Sequence, residues 1–84
     1  MNTVSNFYVI RDALAEGFGV PFVQSNDYIA VRAFVRLLDD PQSDLHASPK
    51  DYQLIKIGTY DFRTGMIQSC DHVIIKNGSD YKAD

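Results

Sequence analysis

Tryptophan is absent from this 84-residue sequence, cysteine occurs once, and only eight residues are Lys or Arg. Each shortage excludes or disfavours something. With Cys70 alone, no intrachain disulfide can form, which suits a reducing compartment. The few cations form no run, and the net charge is −3. A packaging peptide that neutralises DNA needs many cations on phosphates, so the charge weighs against that class while leaving room for a local basic face. No apolar run approaches the roughly 18 residues of a membrane span. The start, MNTVSNFYVI, lacks the basic region and apolar stretch of a secretory signal. The expectation is a protein of the cytoplasm with no membrane partner. A chain this short makes one domain over residues 1–84, with a thin core that dimerisation commonly supplements.

Catalytic patterns are also missing. The sequence has no supported Ser–His–Asp set and no glycine-rich phosphate loop. Asp39, Asp40, Asp44 and Asp51 crowd one loop, but without the 1-3-5 spacing, the central Gly or the terminal Glu of a calcium site. Cys70-x-His72 offers two soft metal ligands where three or four are needed, and His46 is distant. No catalytic residue, metal or cofactor is expected, and a binding or assembly protein is the expected class.

What is present is periodicity. Val4–Asp12 is an apolar run that reads as an interior strand. Ala13–Gly19 reads as a connector in which Gly17 and Gly19 break any regular element around Phe18. Val20–Ser25 is extended, and Pro21 makes it either an edge piece or irregular. Asn26–Asp39 is a helix, capped by Ser25 or Asn26, with Asp27 in its first turn. Ala30, Ala33, Phe34, Leu37 and Leu38, widened by Val31, form its apolar face. Tyr28, Arg32 and Arg36 recur on the other side, as a solvated face or a small basic contact strip. Asp40-Pro41 ends it.

Asp51–Gly65 reads as one long strand closed by a turn at Asp61–Gly65. Strict alternation would put Tyr52, Leu54, Lys56, Gly58 and Tyr60 on one face. Ile55 and Ile57, on the other, are the expected partners of the helix. Met66–Lys76 reads as a returning strand, broken near Ser69 to Asp71. Residues 79–84 read as a loose polar tail. The expected fold is α+β, a small, mainly antiparallel sheet of three to four strands with one helix packed on one face.

That arrangement leaves a sheet face in need of a partner. As a nucleic-acid site, Tyr52, Lys56 and Tyr60 would stack and hold unpaired bases, with Arg11, Arg63, Arg32 and Arg36 contributing charge. As a protein interface, Tyr8, Tyr52, Leu54 and Tyr60 would be buried against a second copy. The acidic net charge weighs toward the second reading.

A series of short motifs adds to this. Gly19-x-Pro21-Phe22 is followed by Ala30-x-Arg32-x-Phe34, Asp40-Pro41-Gln42-Ser43 and Pro49-x-Asp51-Tyr52-x-Leu54. Ile57-Gly58-x-Tyr60-Asp61 and Thr64-Gly65-x-Ile67 complete it. In this order they resemble the small non-structural protein of gokushoviruses, single-stranded DNA phages of the microvirus family. The resemblance covers residues from about Tyr8 to Ile67. It implies an accessory role in single-stranded DNA synthesis and genome packaging, through single-stranded DNA or the replication complex, in the host cytoplasm. It brings no catalytic residues.

Overall fold

The computed structural model describes residues 3–81. The apolar runs become β1 (Val4–Asp12), β2 (Gly17–Phe18), β3 (Phe22–Gln24), β4 (Tyr52–Asp61) and β5 (Ile67–Asn77). The helices are α1 (Asp27–Asp39) and a four-residue α2 (Asp44–Ala47). The class is α+β with an antiparallel sheet, but of five strands rather than three to four. The order is β2-β1-β4-β5, and β3 lies beside β1 on the same edge as β2. The fifth strand comes from the connector. Phe18 pairs with Arg11 and Gly17 with Asp12, so the glycine pair does not prevent a two-residue ladder. Asp12 shapes the turn before it, accepting from the backbone amides of Leu14 (3.0 Å) and Ala15 (3.1 Å).

Helix α1 forms where its caps and spacing place it. The Asn26 side chain accepts from the Ile29 amide at 2.9 Å. Asp40 is extended before Pro41 and ends it. Its buried stripe is narrower than expected, with Ala30, Phe34 and Leu38 buried and Leu37 turned outward. Under the stripe lie Tyr8 and Leu54, with Ile10, Phe22, Tyr52 and Ile75 packed around them. Fully burying a side chain such as Phe34 or Leu38 contributes about 1.5–3 kcal/mol.

This core corrects the expected assignment of faces. The helix covers the Tyr52 and Leu54 side of the sheet, not the Ile55 and Ile57 side. The physical reason is in β1. Its interior position gives two apolar faces, and α1 docks on the one bearing Tyr8 and Ile10. Opposed residues of antiparallel strands share a face. Tyr8 opposes Lys56 and Ile10 opposes Leu54, which fixes those β4 residues beneath or beside the helix.

A second correction follows from an irregularity. Between the pairs Tyr8–Lys56 and Phe7–Gly58, Ile57 has no partner on β1. One extra residue in a strand with a side-chain period of two reverses the faces beyond it. Tyr60 therefore points away from the helix, on the opposite side from Tyr52. Gly58 belongs to this device. A Cβ there would run into the Gln68 carbonyl of β5, so only glycine allows the strands this close.

β5 is broken where the sequence suggested. Between the pairs Gly58–Ser69 and Lys56–Val73, residues 70–72 loop out of the ladder. At the turn, Gly65 has φ 73°. The Asp61 carboxylate accepts from the Arg63 amide at 2.8 Å. The chain is closed by Gly78, packed so tightly that a Cβ would collide with the Pro49 carbonyl. Residues 78–80 form a 3-10 turn that takes in the start of the tail expected over residues 79–84, and residues 82–84 of that tail lie outside the described residues. Among the described residues no helix is long and apolar enough to cross a membrane.

Helix α2 was not legible as an element. The Ser43 hydroxyl accepts from the Leu45 amide at 3.1 Å, and Leu45 then inserts into the core. The adjacent His46 ring lies 2.9 Å from the Leu38 carbonyl through Nδ1, tying α2 to the end of α1.

Candidate nucleic-acid interface

The two faces of the sheet differ in chemistry. On the helix side, Tyr8 is fully buried. Its hydroxyl donates to the Asp27 carboxylate at 2.6 Å and accepts from the Asn6 amide at 3.0 Å. Burial first, and the Asp27 acceptor second, push the phenol from 10.0 up to about 12. This bond fastens the first turn of α1 to β1. Leu54 is also fully buried. Neither Tyr8 nor Leu54 is available to a second copy, so the expected four-residue interface of Tyr8, Tyr52, Leu54 and Tyr60 does not assemble.

Tyr52 is half-buried against the core. Desolvation, and then the charges of Asp12, Asp44 and Asp51, raise its pKa. A phosphate backbone meets repulsion there. Lys56 is half-buried on the same side, opposite Tyr8 and Val73. Arg32 and Arg36 stand on the outer side of α1, lining a cleft of about 260 Å³ with Gln24, Ile29 and Ala33. The Arg32 guanidinium lies 5.9 Å from the Tyr28 ring centroid. These cations are separated from Tyr60 by the sheet itself.

Tyr60, Arg11 and their neighbours form the other face. Phe7 meets Tyr60 edge to face at 5.9 Å, and Tyr60 meets Phe62 in the same way at 5.1 Å. The three rings climb toward the hairpin tip, where Arg63 is exposed. At the other end, Arg11 lies 5.8 Å from the Phe18 ring centroid and 3.4 Å from the Gln53 side-chain oxygen. Gln53 donates to Asn77 at 2.8 Å, so a polar rung crosses three strands.

Phe18 and His72 meet ring to ring at 5.6 Å, although β2 and β5 are the two ends of the strand order. The looped-out segment of β5 thus reaches back over this side of the sheet. Val9 and Ile55 lie beneath, 2 % and 4 % exposed, outside the core cluster under the helix.

The acids are distributed unevenly. The paired positions of this open face hold Phe7, Val9 and Arg11 on β1 and Gln53, Ile55 and Tyr60 on β4. From β5 come Ile67, Ser69, Ile74 and Asn77. None is a carboxylate. The acids within β1 and β4, Asp12 and Asp61, oppose Tyr52 and Val4 on the helix side. The net charge of −3 is therefore not the charge of this face.

Phe7, Phe18, Phe62 and His72 join the site only through the structure. Strict alternation through β4 concealed them, because it assigned Tyr60 to the wrong neighbours. Gly58, in an otherwise apolar strand, was the available signal of a bulge or a close approach.

These features define a small, single-layer sheet domain with one face sealed by a helix and the other presented as aromatic, without carboxylates at its paired positions. The sequence matches the family described as Phage ORF5 protein over residues 5–81, and the chain belongs to that family. No curated protein and no solved structure matches it.

Proposed function

We propose that this phage protein is a non-enzymatic accessory factor that binds single-stranded DNA on its open sheet face. The observation that carries the reading is the aromatic run Phe7–Tyr60–Phe62 on a face whose paired positions lack carboxylates. Stacking on exposed rings is tolerant of sequence and contributes about 1–3 kcal/mol per base. Arg11 and Arg63 supply charge at the two ends. Membership of the phage family and the gokushovirus-like motif series support a role in single-stranded DNA synthesis and genome packaging. The host cytoplasm is the setting, and the replication or packaging complex is the wider partner.

Fluorescence anisotropy with a labelled oligothymidylate tests this. Binding is expected at low salt. With two cations on the face among the described residues, log K should fall gently with log salt, by a slope of about −1.4 at −0.7 per phosphate contact. Tyr60→Ala with Phe62→Ala should weaken binding by about 100-fold or more. Arg32→Ala with Arg36→Ala should leave it unchanged, because those cations lie on the far side of α1. No binding at low salt, or wild-type affinity in the Tyr60 and Phe62 double variant, would instead favour the homodimeric adaptor without nucleic-acid contact.

A further inference from the structure

We propose that β5 is the interface between two copies of this chain, joined edge to edge in antiparallel register across a two-fold axis between Cys70 and Asp71. This goes beyond the DNA-binding reading and does not depend on it. β5 is the end of the sheet and pairs with β4 alone among the described strands. A strand edge of this length presents a row of backbone donors and acceptors that another strand can satisfy. Residues 67–74 are all exposed. They include Ile67 at 65 %, Val73 at 49 % and Ile74 at 52 %.

Apart from the loop at residues 70–72, the usual protections of an edge are missing. Residues 66–75 contain no Pro, Lys or Arg, and Asp71 is their one charge. The edge is not covered by a helix over residues 67–74.

Face geometry selects the register. Opposed residues must share a face, and a two-fold axis perpendicular to the sheet keeps each residue on its own face in both copies. Ile67 opposes Tyr60 and Ile74 opposes Ile55, so both lie on the open face. Val73 opposes Lys56 and lies on the helix face, so it cannot oppose Ile67. An axis between Cys70 and Asp71 sets Ile67 against Ile74 of the second copy, twice. It also sets Gln68 against Val73, with the looped-out residues 70–72 of the two copies at the axis. The occupant that fits these constraints is the same strand, because the apolar positions complement one another only when the chain direction is reversed. Joined in this way, the two open faces lie on one side of a continuous sheet.

Sedimentation equilibrium of the full chain at micromolar concentration is the primary test, and a dimer is expected. Ile67→Lys and Ile74→Lys each place two charges in the interface, since each residue occurs twice. Either should weaken association by about 100-fold or more. Both residues are more than half exposed, so the folded monomer is retained, and circular dichroism checks it. A short bismaleimide should capture the dimer through Cys70, which is exposed and the one thiol in the sequence. A wild-type monomer overturns the proposal. So does a dimer that persists in both folded lysine variants, or one that no bismaleimide captures through Cys70.

Discussion

The two faces of the β1–β4 pair use the same strands and almost the same residue types, yet they differ in what holds them. On the helix side, Tyr8, Leu54, Phe34 and Leu38 are sealed from water, and the Tyr8 hydroxyl is committed to Asp27. On the other side, aromatic side chains touch each other without being enclosed, and Phe62 remains 62 % exposed. A buried aromatic contributes to the fold. An exposed aromatic contributes little to the fold and remains available to a ligand. Composition does not distinguish the two, since the difference lies in which face α1 occupies.

Four substitutions sharpen that contrast, in falling order of their effect on stability. Phe34→Ala removes the largest side chain of the α1 stripe and should lower the unfolding free energy by about 3–5 kcal/mol, read by urea denaturation. Gly78→Ala drives a Cβ into the Pro49 backbone and should destabilise by about 1–3 kcal/mol, with a clear fall in thermal midpoint.

Tyr8→Phe removes the bond to Asp27 and should destabilise by about 1 kcal/mol near neutral pH. Its pH dependence has a definite sign. The folded phenol titrates at about 12 against 10.0 when unfolded, so folding favours the protonated form. That stabilisation is complete below about pH 10 and is lost as pH rises toward 12. Thermal melts of the wild type should therefore fall more steeply across that window than those of Tyr8→Phe. A parallel decline in the two proteins would remove Tyr8 from the account.

Phe62→Ala should change stability by less than about 1 kcal/mol, because its ring is largely in water. If unfolding shows a loss as large as that of Phe34→Ala, the open face is a second core and the contrast collapses. If stability holds while oligothymidylate binding weakens, the two faces are separable by measurement.

Much of the architecture was legible because it rests on local signals. β1 and α1 were readable from an apolar run, an Asn cap and an Asp-Pro stop. The break in β5 was readable from Ser69, Cys70 and Asp71, which interrupt its apolar pattern. The extra strand was harder, since Gly17–Phe18 has no propensity of its own and forms a ladder only because β1 is alongside. Helix α2 is a single turn held by Ser43 and the burial of Leu45, and its signal is confined to four residues. The candidate site was only partly legible. Tyr60, Arg11 and Arg63 were chosen for their chemistry, and they do share a side of the molecule or its tip. Their grouping with Tyr52 and Lys56 assumed an unbroken alternation. Register is a tertiary property, fixed by β1 and β5, and a one-residue shift within β4 is invisible to the composition of β4 alone.

The unpaired Ile57 turns chain length itself into a constraint. β4 is written in two parities, one before that residue and one after, and the open face draws from both. Pairing Ile57 in the ladder, with no bulge, would restore a single parity and send Tyr60 to the helix side while leaving every residue in place. Related phage sequences should therefore vary freely in the number of residues between Asp12 and Gly17, where the chain only turns. Between Leu54 and Tyr60, those that keep the bulge should keep the count fixed even where the identities drift.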